Sequence, residues 1–261
     1  MGQRRSIQAI KTTQTIKIDG SLEDAAWSNA PLLSEFTIAF PDFGKPPTQK
    51  SEVRILYDNS ALYIAAYLYD DPSKIRKQLT ARDAIERQDV DYFSIGLDTY
   101  NDKQNGFIFQ VTSAGVQGDA KISNSGGNNL DRTWDAVWES KTSIKNDGWV
   151  AEFRIPFSAI RFAKKQLQTW GLQIGRFSRN NNENITWNPE DPNVNGTINQ
   201  WGEYRELRDI IPPLRLSFLP YLSGGVKVSP TSNGDITEFS KSGGMDVKYG
   251  INESFTLDAT L

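Results

Sequence analysis

The chain has 261 residues, 29 basic and 32 acidic side chains for a net charge of −3, and neither cysteine nor histidine. That excludes disulfides, thiolate nucleophiles, Cys/His metal sites and the Ser-His-Asp arrangement, and the mixed charge offers no basic field for nucleic acid. With 20 Gly, 12 Pro, 7 Trp, 9 Tyr and 13 Phe and few long amphipathic stretches, the composition points to an all-β sandwich or barrel.

The first predicted element is "IDGSLEDAAW", Ile18 to Trp27. Asp19-Gly20 reads as a turn. A short helical turn follows, with Ser21 as its cap and Asp24 close to the capping-box position. Trp27 falls where its ring can seal one end of a core.

Strands then follow by period-two alternation. Val53, Ile55 and Tyr57 share one face; Leu62, Ile64, Ala66 and Leu68 share another, after a tight turn at Asp58-Asn59-Ser60. A polar insert, helical or loop, runs from Asp70 to Gln88. Beyond it, Phe93, Ile95 and Leu97, then Phe107, Phe109 and Val111, point inward. So do Trp149, Ala151, Phe153 and Ile155 before a stop at Pro156, and Trp170, Leu172 and Ile174. These strands describe an antiparallel β-sandwich up to about Leu207. The segments Asn124 to Arg132 and "RNNNENITWNPEDPNVNGT" read as long loops, the usual place for binding on a β scaffold.

Pro212-Pro213 marks a boundary. The strands beyond it are longer, with Leu214, Leu216 and Phe218, then Met245, Val247, Tyr249 and Ile251, then Phe255, Leu257, Ala259 and Leu261 alternating with polar residues. Such strands build outer-membrane barrels; the other reading is that they complete a larger soluble β domain. No run of 18 apolar residues exists to form a membrane-spanning helix, and "MGQRRSIQAI" lacks the apolar region of a signal peptide.

Trp187, Asn188 and Trp201 stand on or beside the Asn/Pro-rich loop, where an exposed indole could stack on sugar C–H groups; the alternative is a loop anchor. Trp134 is a second surface candidate, whereas Trp138 is expected in the core. The stripe Tyr63, Tyr67 and Tyr69 is read as packing against neighbouring strands rather than as a binding platform. Asp89, Asp91, Asp98, Asn101 and Asp102 cluster at the ends of one predicted strand and supply oxygen ligands for Ca²⁺; the alternative is a solvated acidic hairpin. No segment sets two carboxylates facing each other across a cleft, so glycosidic hydrolysis is not expected.

In order, "IDGSLEDAAW", "SEVRILYDNSALYIAAYLYDD", "QDVDYFSIGLDTYND", "GWVAEFRIPFSAI", "WGLQIGRF", "ITW" and "WGEYREL" resemble the family 9 carbohydrate-binding modules across Ile16 to Leu207. The continuation resembles the start of the barrel region that follows such a module in outer-membrane proteins of Bacteroidetes-type bacteria. The resemblance implies a noncatalytic sandwich at residues 1–210, binding an oligo- or polysaccharide or cell-envelope glycan, with calcium bracing its loops. It implies a barrel start at 211–261 and an outer-membrane-associated, periplasmic or surface-facing location. Trp187 matches an aromatic position near the family's sugar site; at the position of the second tryptophan this chain has "AIERQD", without an aromatic. A structural or docking domain without sugar binding is the alternative reading.

Overall fold

The computed structural model describes residues 4–85, 89–124, 129–212, 216–231, 234–250 and 256–260. Contacts divide the chain into two units, Met1–Pro212 and Pro213–Leu261.

Among the described residues, thirteen strands build the first unit: β1 (Ser6–Gln8), β2 (Thr37–Phe40), β3 (Ser51–Tyr57), β4 (Ala61–Tyr69), β5 (Tyr92–Asp98), β6 (Asn105–Thr112), β7 (Gln117–Ser123), β8 (Asn129–Asp131), β9 (Glu139–Lys145), β10 (Gly148–Pro156), β11 (Leu167–Ser178), β12 (Glu183–Thr186) and β13 (Gly202–Arg208). The larger sheet runs β1-β13-β11-β5-β6-β7-β8, with β12 joining β11 to β2; the smaller runs β3-β4-β10-β9. All pairings are antiparallel except that of β1 with β13.

The inward residues of the alternating runs form one core between the sheets. Val53, Ile55, Leu62, Ile64, Phe93, Ile95, Phe109, Trp149, Phe153, Trp170 and Leu172 are all buried there. This is why those segments are strands: each buries one face, and the pleat sends alternate residues to the other. Within the same interior, Arg176 on β11 reaches Asp70 just past β4 at 2.8 Å, an ion pair with both side chains buried that ties the two sheets together.

The outer face of the smaller sheet carries a second, minor core. Trp27 is buried, as its size predicts, but against Ile16, Ala26, Leu56, Ala61, Tyr63 and Ala65 rather than at an end of the main core. The helical turn that carries it is a short 3-10 segment, Ala25–Asn29, whose N-cap residue is Asp24 and which has no side-chain cap. Ser21 does not cap it. Its N–H instead donates to Asp19 Oδ1 at 2.9 Å, and Asp24 Oδ2 accepts the Lys17 N–H at 2.8 Å. Gly20 has φ +82°, which supports the reading of a glycine turn. The tyrosine stripe divides: Tyr63 is buried in the minor core, and the Tyr67 and Tyr69 rings pack on each other at 4.7 Å. The insert after Asp70 contains no helix among its described residues; it is a loop held by a bridge between Lys77 and Val90.

The second unit is an antiparallel meander of β14 (Leu216–Thr231), β15 (Gly234–Gly250) and β16 (Thr256–Thr260). By register, Phe218, Leu222, Val226, Phe239, Val247 and Leu257 share one face, and Ser223, Lys227, Glu238 and Ser242 lie on the other. Leu214, Ile251, Phe255 and Leu261 lie outside the described residues.

Candidate functional site

The outer face of the larger sheet holds a hollow of about 220 Å³. It exists because the outward positions of the central strands are mostly glycine or polar. On β5 they are Tyr92, Ser94 and Gly96; on β6, Gly106, Ile108 and Gln110; on β11, Gln173 and Gly175. A Cβ on Gly175 would come within 2.5 Å of Ser94 Oγ, so the floor has no room for larger side chains there. Asn184 and Thr186 on β12, Glu190, Thr197 and Trp201, and the apolar Ile122 and Leu130 complete the lining.

The rim is the segment from Trp187 to Trp201, and it is shaped from beneath. Gln173 Nε2 donates to Asn188 O at 2.8 Å and to Glu190 Oε1 at 2.6 Å, while Gln173 Oε1 accepts the Asn188 N–H at 2.9 Å. Gln200 fastens the same loop from within, donating to Gly196 O at 2.8 Å and accepting the Asp191 N–H at 2.8 Å. Burial pushes the Glu190 carboxyl above its ordinary range, against the opposing pull of the Gln173 amide and the Trp201 indole N–H. That indole N–H is near enough to act on the charge yet makes no hydrogen bond. Gln110 Oε1 accepts from the Arg132 guanidinium at 3.4 Å. At the far end the Tyr92 ring stacks on Phe177 at 5.4 Å and 21°.

Amides, a carboxylate and an aromatic ring around a shallow hollow are suited to hydroxyl-rich ligands: the polar groups pair with hydroxyls and the ring with C–H faces. Glu190 is the one carboxylate among the described lining residues. Two-carboxylate glycosidic hydrolysis has no pair to work with here.

The sequence-derived candidates fall in different places. Trp201 lines the hollow, buried, with its ring laid over Gly96 and Gly106, where a Cβ would approach it to 2.7 and 3.0 Å. Asn188 is buried and braces the loop: its Oδ1 accepts the Arg5 N–H at 2.9 Å, and its Nδ2 donates to Gln200 O. Trp187 is not an exposed loop residue. It is 3 % exposed, in the main core. "ITW" belongs to strand β12 and its continuation, where Ile185 and Trp187 share inward parity, and the Trp187 N–H still bonds Ile174 O at 2.8 Å. Trp134 is half-buried elsewhere, packed on Phe107 and Phe109 with Lys121 Nζ 5.8 Å from its ring centroid. Trp138 is in the core, as expected.

The five expected calcium ligands do not converge. Asp91 and Asp98 stand at opposite ends of β5, about 20 Å apart at about 3.3 Å per residue. Each is buried and bonded to backbone: Asp91 accepts the Arg179 and Arg76 N–H groups at 2.6 and 3.1 Å, Asp98 those of Asp102 and Lys103 at 3.2 and 2.8 Å. Desolvation raises both pKa values. Asp102 accepts from the Gln104 and Asn105 N–H groups, both at 2.8 Å, Asn101 has φ +53° in the same turn, and Asp89 lies 3.4 Å from Arg179 Nε. Among the described residues no group of three or more Asp or Glu is arranged to hold a metal ion. The position of the family's second tryptophan, at Glu86–Gln88, lies outside the described residues.

Tyr92, Gln110, Gln173, Asn184 and Glu190 were not among the candidates. For Tyr92, Gln110 and Gln173 the signal was the outward half of the same alternation that marked the core; Asn184 and Glu190 fall in the segment whose composition reads as a loop.

A family model described as "Carbohydrate family 9 binding domain-like" matches residues 18–205, and one described as "Domain of unknown function (DUF5916)" matches residues 212–261. No curated protein sequence matches. A family 9 carbohydrate-binding module from Caldicellulosiruptor kristjanssonii, solved with cellotriose, shares 17 % identity at a TM-score of 0.53, over 77 % of this chain and 93 % of its own. A Bacteroides uniformis protein, proposed to be carbohydrate-binding, shares 10 % identity at a TM-score of 0.61, over 78 % of this chain and 99 % of its own. At these identities the structures attest to the fold. With the family model matching more than half of the chain, the chain belongs to the carbohydrate family 9 binding domain-like family.

Proposed function

We propose that the sandwich binds an oligosaccharide, without acting on it, in the outer-face hollow, and that the chain serves at the bacterial cell envelope. The observation that carries the binding is the Gln173–Glu190–Asn188 network beside an open floor of glycine, serine and glutamine. Gln173 uses both Nε2 hydrogens on Asn188 O and Glu190 Oε1, so the network fixes the Glu190 carboxyl as an acceptor beside the Ser94 hydroxyl at little ordering cost. The modest aromatic surface predicts millimolar rather than micromolar affinity. The apolar face of β14–β16 supports the envelope reading: its strands of 16 and 17 residues exceed the about 9–11 that cross a hydrocarbon layer.

Isothermal titration with glucose and cellotriose tests the binding. Gln173→Ala and Tyr92→Ala are each expected to weaken it about tenfold, the scale of one lost hydrogen bond or stacking contact. Trp134→Ala should leave it unchanged. Binding that survives both of the first two variants, in chains that melt normally, would remove the site; no binding to any glycan would leave a docking role.

A further inference from the structure

A second hollow, of about 290 Å³, lies where β5 turns into β6 and β7 meets β8. Phe107 and Ile122 are part of its lining, with Tyr100, 39 % exposed, beside them. Two cations stand at it. Lys121 pairs across strands with Phe107 on one side and Asp131 on the other, and its Nζ rests over the Trp134 ring rather than in an ion pair. The exposed Arg161 side chain makes no hydrogen bond or ion pair with any described residue. Asn105 and Asn129 add amides.

We propose that this hollow binds a carboxylate-bearing sugar unit of the uronic acid type. Two cations left without salt-bridge partners next to an apolar, partly aromatic lining call for a ligand with one anionic group and one C–H face. A small inorganic anion fits poorly, because it cannot use that lining and because Asp131 also faces the hollow. Asp131 Oδ1 already accepts the Thr133 N–H and hydroxyl at 3.0 and 2.6 Å, which lower its pKa, and Lys121 lowers it further. It stays ionised and can accept a sugar hydroxyl. The site adjoins the hollow on the outer sheet face, sharing Ile122 with it, but none of its polar lining residues belongs to that hollow.

The test is titration of the whole chain with trigalacturonate, its methyl ester, cellotriose and inorganic sulfate. Trigalacturonate should bind, more weakly as salt rises. Arg161→Glu should weaken it by about tenfold, and Lys121→Ala by about fivefold, as expected for single partly exposed charges. Gln173→Ala should leave it unchanged. Equal binding of the methyl ester, displacement by sulfate at equal concentration, or indifference to Arg161→Glu would each overturn the proposal. Loss of trigalacturonate binding in Gln173→Ala would place the acid in the trough instead and overturn it while leaving the neutral-sugar reading intact.

Discussion

At position 187 the indole ring fills space that glycine leaves open at 202, where a Cβ would approach it to 2.6 Å. Trp187→Ala is therefore expected to cost roughly 3–5 kcal/mol, as buried Trp truncations do, and to lower the melting temperature whether or not sugar is present. A variant that melts normally and loses only sugar binding would return Trp187 to the surface role its sequence context suggested. The misplacement has a physical source. Asn, Pro and Gly crowd residues 180–197, and that composition hides a four-residue strand, β12, whose pairing with β11 sets the parity of Trp187. The acids fail as a calcium set for a different reason: Asp91 and Asp98 stand at the two ends of the strand that the alternation itself marks, and backbone N–H groups occupy their oxygens.

At the scale of the element, the inward faces of β3, β4, β5, β6, β10 and β11 were legible because burial imposes a period of two. The outward faces were not, since a polar residue facing outward looks the same over a ligand site as over solvent. Glu152 is the sharpest case. It sits on the outer face of β10, fully buried, with Oε2 accepting the Asp19 and Gly20 N–H groups at 3.1 and 2.7 Å and Oε1 unpartnered. Burial first, with the Asp19 and Asp24 charges adding, raises its pKa from 4.5 to about 7 against those two hydrogen bonds. The folded state therefore holds this proton more tightly than the unfolded one. The resulting stability is fully present below about pH 4.5 and is lost as pH rises through about 7. Stability measured by denaturant should fall across that window by on the order of 1–2 kcal/mol, and Glu152→Gln should flatten the fall. An unchanged slope in that variant would assign the titration elsewhere.

For the whole molecule, the two units place different demands on solvent. The sandwich buries its apolar residues, whereas Phe218, Leu222, Val226, Phe239 and Leu257 on the meander are all more than half exposed, more apolar surface than a soluble chain ordinarily leaves in water. In vesicle flotation the whole chain is expected to rise with lipid and a chain ending at Pro212 to stay in the soluble fraction. Equal partitioning would argue that the meander packs against protein instead. The sandwich also has an order of assembly written into it. Its first strand, β1, pairs in parallel with its last, β13, so that Ile7 meets Tyr204, and the residue before β1 props the rim of the proposed sugar site: the Arg5 N–H holds Asn188 Oδ1, its guanidinium reaches Trp187 O and Glu35 O, and its carbonyl accepts the Glu203 N–H. On the ribosome, β1 has no partner until β13 has emerged, because a pairing this distant in sequence closes late. A nascent chain that has released everything through β11 already owns the floor of the trough but lacks the brace for its rim, so ligand competence is the last property this domain acquires.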